Sequence, residues 1–155
     1  MIFHTATPSD FAVVKHIVHT TIQAIYPHYY PMGVVDFFLN HHSDKNILRG
    51  LDTETVLLLC VQGTFVGTGT AKENEICRMF VLPEFQGLGY GTAIITELEK
   101  IIGRTHSQIR LDSSLPAFQM YLSRGYCSAK YEKIVTPNKD VLCFHVMEKS
   151  VGDVE

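Results

Sequence analysis

A glycine-rich turn is the strongest candidate for chemistry in this sequence. Gly87, Gly89 and Gly91 alternate within residues 81–92, where an apolar strand pattern gives way to a helical one. Glycine lets a backbone approach a ligand closely, and the first turn of a helix presents unpaired N–H groups at the positive end of its dipole. The turn therefore predicts a binding site for phosphate or a similar anion. A plain connector that lets strand and helix pack is the alternative.

Two other phosphate-binding motifs fit this turn poorly. A P-loop places a lysine and then serine or threonine after its last glycine, whereas Thr92 follows Gly91 directly. A dinucleotide-binding turn needs a third glycine where Thr92 stands, and its first glycine should follow the strand almost at once. Five residues separate Val81 from Gly87. A nicotinamide-dinucleotide domain is kept as an alternative, with Asp112 as its partial match to a ribose-binding acid.

Two segments together resemble the GNAT superfamily, the acyl-coenzyme A-dependent N-acetyltransferases. Residues 86–91, QGLGYG, are similar to its pyrophosphate loop and follow a strand pattern ending at Val81. Residues 117–126 contain an alanine, then Tyr121 four residues later, then a glycine and an aromatic residue, similar to the family's next helix. The two motifs occur in the family's order, within a resemblance that spans residues 54–147. The resemblance implies acetyl-coenzyme A as co-substrate.

The resemblance also implies where the cofactor binds. Backbone groups at the strand end would bind the pantetheine arm and the thioester, and the glycine turn would bind the pyrophosphate. The predicted cofactor residues are Met79, Phe80, Val81, Gln86, Gly87, Leu88, Gly89, Tyr90, Gly91, Thr92 and Ser114. Ser114 departs from the asparagine common in the family and is predicted to cap the following helix. Because Pro83 has no N–H, the amide facing the carbonyl oxygen is predicted to be that of Val81, with Leu82 second.

Tyr121 and Glu75 are the predicted catalytic residues. Tyr121 matches the family's proton donor to the departing thiolate, although a core tyrosine beside Phe118 fits the helical spacing too. Glu75 lies six residues before Val81, the spacing at which histone-acetylating members carry a glutamate base. Strand alternation predicts that residues 75, 77, 79 and 81 share one face, so that Glu75 acts through water in the same groove as Val81. A solvated carboxylate is the alternative.

An aromatic segment after the first predicted helix is the candidate acceptor site. The resemblance implies that this segment and the last hairpin flank the acceptor, and the predicted substrate residues are Tyr26, Tyr29 and Tyr30. Aromatic faces attract cations and flat apolar groups, which suits a small amine or a lysine-bearing peptide. Rings that close a core beneath a loop are the alternative. Histidine pairs at 16 and 19 and at 41 and 42 lack further metal ligands nearby, so no metal is predicted.

Composition and charge narrow the class of partner. The chain has 155 residues with 13 Lys and Arg against 16 Asp and Glu, a formal net charge of −3, and 19% charged residues. No basic footprint is visible, so nucleic acid is excluded as a primary partner. The longest apolar run, residues 56–61, is far too short to cross a bilayer, and the first residues lack signal-peptide order. We therefore expect a cytoplasmic protein without membrane contact and with its four cysteines as free thiols.

The elements that must position these residues follow two periodicities. Alternation predicts strands over 2–6, 55–61, 64–70, 75–81, 107–112, 126–135 and 141–147. Helical spacing predicts helices over 11–25, 34–39, 44–51, 89–103 and 115–124. This order indicates a mixed α/β layer. The resemblance implies a central, mostly antiparallel twisted sheet, splayed between its fourth and fifth strands, with helices on both faces. We expect one N-acetyltransferase domain over residues 1–149 and a frayed tail over 150–155.

The predicted function is transfer of an acetyl group from acetyl-coenzyme A to a primary amine, by direct attack in a ternary complex. The acceptor would be the amine of a small molecule, a peptide or a protein. A non-catalytic module that binds coenzyme A in regulation or interaction is the alternative from another class. Members of the family often pair, so a homodimer is compatible with the resemblance, although no interface can be recognised in the sequence.

Overall fold

A seven-stranded sheet forms the centre of the molecule, and the computed structural model describes residues 1–152. The strands are β1 (Ile2–Thr5), β2 (Thr55–Val61), β3 (Thr64–Lys72), β4 (Glu75–Val81), β5 (Gln108–Ser113), β6 (Cys127–Val135) and β7 (Val141–Ser150). The helices are α1 (Phe11–Ile25), α2 (Met32–His41), α3 (Asp44–Thr53), α4 (Tyr90–Gly103) and α5 (Phe118–Ser123). Within the predicted tail, Ser150 ends β7, and residues 153–155 lie outside the described residues.

The sheet has the predicted splay. Its strand order is β1-β2-β3-β4-β5-β7-β6, and every neighbouring pair is antiparallel except β4 and β5. The parallel pair is joined in register only at Glu75 and Arg110. Beyond that point the two strands diverge and leave a gap that opens toward the end of β4. The prediction of a mostly antiparallel sheet splayed between its fourth and fifth strands is confirmed.

Helices cover both faces of the sheet, as predicted. On one face α1, α2 and α3 bury a core that includes Ile17 and Ile22 against Val56 and Leu58 of β2. On the other face α4 packs against the alternate residues of the same strand, Leu57 among them. The period of two in β2 thus divides its side chains between two separate cores. The middle of β2 is consequently buried on both sides.

Several elements extend beyond their predicted bounds for local reasons. Helix α3 begins where predicted, with the Ser43 hydroxyl accepting the Asn46 amide at 3.3 Å, and ends two residues later than predicted, at Thr53. Strand β7 continues three residues past Met147 because it pairs with β5 as far as Ser150. Ser114 stands at the N-cap position of the turn before α5, but its side chain makes no capping hydrogen bond. The prediction that the Ser114 side chain caps the following helix is therefore wrong.

A β-bulge interrupts β4 at its middle. Cys77 lies opposite Thr70 and Phe80 lies opposite Thr68, so a step of two residues in β3 matches a step of three in β4. Arg78, inside the bulge, has φ +46°, which is uncommon for a residue with a side chain. The inserted residue changes which side chains share a face in the second half of the strand.

The bulge makes the predicted face of β4 wrong. Glu75 and Cys77 share a face with Phe80, because all three lie opposite same-face residues of β3. Met79 and Val81 face the α4 core on the other side. Glu75 and Val81 therefore lie on opposite faces of the sheet, although simple alternation over six residues predicts the same face.

Candidate functional site

Two cavities open on the two sides of the gap between β4 and β5. We call the first the glycine-loop groove; it encloses about 310 Å³ and is lined by the end of β4, the glycine turn, α1 and the start of α5. We call the second the aromatic cavity; it encloses about 380 Å³ and lies among α2, α3, β4, β5 and the β6–β7 hairpin. Each volume is that of a small-ligand pocket.

The groove and the cavity meet at the bulged strand. The residues that line both are Tyr26, Met79, Phe80, Ser114 and Ala117. These residues come from the end of α1, the second half of β4 and the turn before α5. A molecule in the groove and another in the cavity would therefore face each other across the middle of β4.

The glycine turn presents an open helix start to the groove. Gly89 is the N-cap of α4 with φ +86°, and Gly87 has φ +74°, both in the left-handed region that favours glycine. No described atom lies within 4 Å of a Cβ built at either position. The first intrahelical bond runs from the Ala93 amide to the Gly89 carbonyl at 3.1 Å, which leaves the earlier amides of α4 unpaired within the helix.

Backbone groups at the end of β4 separate into two sets. The Leu82 amide donates to the Val66 carbonyl at 2.9 Å, so the second predicted carbonyl-binding amide is used by the sheet. By antiparallel alternation the Val81 amide points the other way, into the gap. The Val81 carbonyl accepts from Gln86 Nε2 at 2.9 Å and from Thr21 Oγ1 at 3.3 Å. Thr21, which sequence reasoning did not single out, thus helps fix this segment.

The remaining loop residues differ in their exposure. Leu88 is 62% exposed and Thr92 is exposed at the first turn of α4. Tyr90 is half-buried, with its ring 6.5 Å from that of Phe85. Gln86, Gly87, Gly89, Gly91 and Thr92 line the groove, whereas Leu88 and Tyr90 do not. The structure therefore brings most of the predicted loop residues together at one opening.

Tyr121 lies on α5 and faces the aromatic cavity. Its side chain is 5% exposed, and its ring packs edge-on against Tyr126 at 5.5 Å. No hydrogen bond to its hydroxyl is found among the described residues. Burial raises the pKa of Tyr121 well above 10, so the phenol keeps its proton at neutral pH. Burial also raises the pKa of Tyr26 to about 12, with a hydrogen bond from Ser114 opposing the rise.

A half-buried ionic cluster fixes the helix that carries Tyr121. Arg124 Nη2 donates to Glu99 Oε2 at 2.7 Å, and Lys149 Nζ and the Tyr126 hydroxyl donate to Glu99 Oε1 at 3.2 and 3.0 Å. Burial alone would raise the pKa of Glu99, but hydrogen bonds from Arg124, Lys149 and Tyr126 outweigh it and leave the pKa below its usual range. The charged cluster therefore joins α4 to the end of α5 and to β7.

Three acidic side chains line the aromatic cavity, Glu54, Glu75 and Asp112. Glu75 is half-buried, and its Oε1 lies 3.9 Å from Arg110 Nη1. Asp112 is exposed at the end of β5 and has no ion pair within 4 Å among the described residues. Glu75 thus reaches the cavity from the face opposite to Val81.

The three predicted acceptor tyrosines have different surroundings. Tyr26 is buried and lines both the groove and the cavity. The Tyr30 hydroxyl accepts a hydrogen bond from the Leu115 amide at 2.7 Å, which fixes the turn before α5. Tyr29 is 50% exposed, and neither Tyr29 nor Tyr30 lines the groove or the cavity. Of the three, only Tyr26 is placed where it would touch a bound molecule.

The wall of the aromatic cavity comes from residues far apart in the chain. Phe37 and Phe38 on α2 face Phe80 on β4 and Phe144 on β7. The Tyr26 and Phe38 rings are 4.7 Å apart at 81°. Phe37 and Phe38 fall within the helix predicted over 34–39, whereas nothing in the sequence near Phe144 indicates a shared wall.

The β6–β7 turn contacts the helix that lines one side of this cavity. Asp140 Oδ2 accepts the Gly33 amide at 2.9 Å, and Asn138 packs so close that a Cβ at Gly33 would clash with its side chain. Gly33 stands at the start of α2, so the turn over residues 136–140 docks on the helix that carries Phe37 and Phe38. We call this contact the hairpin latch.

Neither a membrane-spanning helix nor a metal-binding cluster is found within residues 1–152. None of the helices there has the length and apolar character needed to cross a membrane. No group of three or more histidine, cysteine, aspartate and glutamate side chains suited to a metal ion is found in that part of the chain.

Comparisons with known proteins agree with this geometry. The profile of the acetyltransferase (GNAT) domain matches residues 25–151. A search of curated proteins found no significant match. A GCN5-related N-acetyltransferase from Rhodopseudomonas palustris superposes with a TM-score of 0.88 at 24% identity, over 97% of this chain and 95% of that one.

Two further solved structures share the fold. The PaiA N-acetyltransferase of Thermoplasma acidophilum, in complex with coenzyme A, gives a TM-score of 0.73 at 17% identity, over 97% of this chain and 98% of that one. The ribosomal-protein-S18-alanine N-acetyltransferase of Escherichia coli gives 0.74 at 16% identity, over 99% and 96%. With the profile match over most of its length, the chain belongs to the GNAT acetyltransferase family.

Proposed function

We propose that the protein transfers an acetyl group from acetyl-coenzyme A to a primary amine. The observation that carries the proposal is the meeting of the glycine-loop groove and the aromatic cavity at five shared residues around the β4 bulge. A thioester in the groove and an amine in the cavity would approach each other from opposite faces of the sheet. This arrangement supports direct attack in a ternary complex.

The groove suits an anionic donor without a basic surface. The unpaired amides and the dipole at the start of α4 would hold the pyrophosphate, which accounts for cofactor binding by a chain of net charge −3. The Val81 amide, which points into the gap, would donate to the thioester carbonyl oxygen as negative charge develops there. Gln86 and Thr21 would keep this segment in position through the Val81 carbonyl.

Proton transfers complete the reaction. The amine nitrogen attacks the thioester carbon, the carbon–sulfur bond breaks, and the departing thiolate takes a proton from the Tyr121 hydroxyl. Because burial disfavours the phenolate, Tyr121 regains a proton from water as the products leave. That hydroxyl is available because it has no other partner among the described residues. Glu75 lines the cavity from the amine side and would accept the proton lost by the attacking nitrogen, through water. The acceptor ammonium must lose its first proton before attack.

A covalent acetyl-enzyme is disfavoured by the chemistry of the cavity. Cys77 is the thiol that lines it, and burial, followed by the charges of Glu54 and Glu75, raises the pKa of Cys77 to about 11. The thiolate is the nucleophile, so a thiol with this pKa is almost wholly unreactive at neutral pH. Direct transfer to the amine needs no such intermediate.

The cellular setting belongs to the same proposal. All four cysteines are free thiols in the structure; Cys127 is exposed and the other three are half-buried. Free thiols suit the reducing compartment in which we place this protein, the cytoplasm. We propose an amine-bearing acceptor as the partner and neither nucleic acid nor membrane.

The test measures binding and turnover separately. Melting temperature is recorded with acetyl-coenzyme A, coenzyme A and NAD, because a ligand that binds the folded state raises it. Release of free thiol is then followed with a broad panel of amines, and acetylated products are identified by mass spectrometry. We expect stabilisation by acetyl-coenzyme A and product with at least one amine. Stabilisation without any product would instead favour the non-catalytic coenzyme A-binding module.

Glu75→Gln tests the base within that assay. Loss of a general base lowers kcat by about 100-fold or more when its role is essential. We expect the largest loss below the pKa of the amine, where deprotonation limits the rate, and recovery as the pH rises. A pH profile parallel to that of the unchanged protein would contradict the assignment.

A further inference from the structure

One end of the aromatic cavity has an excess of positive charge. Arg49 of α3, Lys72 of β3 and Arg78 of β4 line it, with the carboxylate of Glu54 among them. Glu54 Oε1 lies 3.9 Å from Lys72 Nζ. Glu75 also lines the cavity and lies across from Lys72 in the sheet, but its Oε1 is 3.9 Å from Arg110 Nη1 of β5, the strand that carries Asp112. Three cations stand against two carboxylates here; the charge of Glu54 acts on both Lys72 and Arg78, and Arg49 has no carboxylate partner within 4 Å among the described residues.

Arg78 is held in place but incompletely hydrogen bonded. Its Nε donates to His42 Nδ1 at 3.2 Å and its Nη2 to the Asn46 carbonyl at 3.4 Å. Its Nη1 is buried and has no partner among the described residues. Burial and the charge of Arg78 hold the pKa of His42 well below its usual range, so His42 stays a neutral acceptor. A charged donor left without an acceptor costs stability, as does the positive φ at this position.

Arg49 lies beside Arg78 and shares Asn46 with it. Arg49 Nη2 donates to Asn46 Oδ1 at 3.1 Å, and no carboxylate lies within 4 Å of its guanidinium among the described residues. Asn46 thus binds one arginine through its side chain and the other through its backbone carbonyl. Two guanidinium groups positioned by neutral acceptors form a suitable receptor for a carboxylate, which accepts paired hydrogen bonds from their planar forks.

We propose that the acceptor carries a carboxylate in addition to its amine, and that Arg49 and Arg78 bind that carboxylate. The inference rests on the proposed acetyl transfer. The amine would then lie toward Tyr121, where Asp112, which has no ion pair of its own, would attract its ammonium form. The phenylalanine wall between would contact an apolar body. The substrate class is an amino acid or a short peptide with a free carboxyl end.

Matched acceptors test this recognition. One set is phenylalanine, phenylalaninamide and phenethylamine, which share an amine and a ring but differ at the carboxylate. A second set, 6-aminohexanoate and hexylamine, places the carboxylate far from the amine, and the dipeptide alanylphenylalanine with its amide represents a peptide end. Initial rates are compared at one pH with acetyl-coenzyme A saturating. In at least one set we expect kcat/KM for the acid to exceed that for its uncharged partner by about ten-fold or more.

Single substitutions test which side chains bind the carboxylate of the acceptor. Arg49→Gln removes an exposed guanidinium and should lower the preference for the acid to under about three-fold, through KM. Lys45→Gln removes a positive charge from the same helix away from the cavity and should leave the preference unchanged. Arg78→Gln should lower the preference for the acid in the same way as Arg49→Gln. If Arg78→Gln does not fold, the result for Arg49→Gln alone tests the carboxylate site. The melting-temperature shift caused by acetyl-coenzyme A should be the same in every variant.

Binding without turnover separates the two proposals. Calorimetry of each acid and its amide, in the presence of coenzyme A, measures acceptor affinity whether or not transfer occurs. Tighter binding of acids that is lost in Arg49→Gln, with no product from any amine, would support the carboxylate site and contradict acetyl transfer. Acids and amides that bind and react equally, or an Arg49→Gln effect no larger than that of Lys45→Gln, would overturn the carboxylate site while acetyl transfer stands.

Discussion

The glycine-loop groove and the aromatic cavity lie on the two sides of one strand gap, yet they are built differently. The groups of the groove that would bind a ligand are backbone: the amides at the start of α4, the Val81 amide and the turn with two glycines at positive φ. The cavity is made of side chains from five or more elements, including Phe38, Arg78 and Phe144. Backbone chemistry suits a ligand that is the same for a whole family, and side-chain chemistry suits one that varies.

The largest expected effect is on proton transfer to the coenzyme A thiolate, where the groove and the cavity would meet. Tyr121→Phe removes the proposed proton donor and should lower kcat by about 100-fold, within the range for general acid catalysis. The KM for acetyl-coenzyme A should not change, because the ring still fills its place beside Tyr126. Since burial raises the pKa of Tyr121, no loss of activity from its ionisation is expected below pH 10 in the unchanged protein. An unaltered kcat would assign Tyr121 to the core alone.

Substitution of a glycine in the turn before α4 should change binding in the groove alone. Gly89→Ala forces a Cβ into a left-handed position at a cost of ~1–2 kcal/mol and places it at the mouth of the groove. We expect the KM for acetyl-coenzyme A to rise by about ten-fold. Gly63→Ala is the matched control, since Gly63 has φ +82° with equally open surroundings in the β2–β3 turn. It should lose similar stability with no change in KM, and equal KM effects would refute the assignment of the turn.

The hairpin latch tests the cavity in the same way. Asp140→Ala removes the acceptor of the Gly33 amide and should cost ~1 kcal/mol in urea unfolding. We expect the KM for the amine to rise by about five-fold while the KM for acetyl-coenzyme A stays constant. Asp36→Ala, an exposed acid on α2, serves as the control. A rise in both KM values would mean that the latch stabilises the whole fold without shaping the cavity.

The smallest expected effect is that of Cys77→Ala. Because the pKa of Cys77 is raised to about 11, its thiol contributes no nucleophile, and kcat should change by less than about two-fold. Steady-state kinetics with both substrates varied would give intersecting lines in a ternary-complex mechanism. Parallel lines together with loss of activity in the variant would show an acetyl-cysteine intermediate instead.

The contrast between groove and cavity also explains what the sequence predicted. Gly89 and the apolar face of α4 are local signals, so the start and end of that helix and the strand before it follow from short-range chemistry. The bulge at Arg78 leaves no such mark, because residues 75–81 read as an uninterrupted strand. Phe144 reaches the cavity, and Asp140 reaches Gly33 of α2, only through the sheet topology. Contacts between distant segments depend on packing that local periodicity does not encode.

The bulge of β4 has a consequence for how this protein could be changed. The extra residue shifts the alternation of side chains along β4. Glu75 and Cys77 therefore lie on one face of the sheet, and Met79 and Val81 lie on the other. Substitutions before the bulge would alter the side of the strand proposed to face the amine, while the Val81 amide proposed to face the thioester stays in register. Deletion of Arg78 would restore simple alternation along β4. One set of side chains would then point toward the core on the opposite face of the sheet. One strand can thus diversify toward new acceptors without losing its common donor.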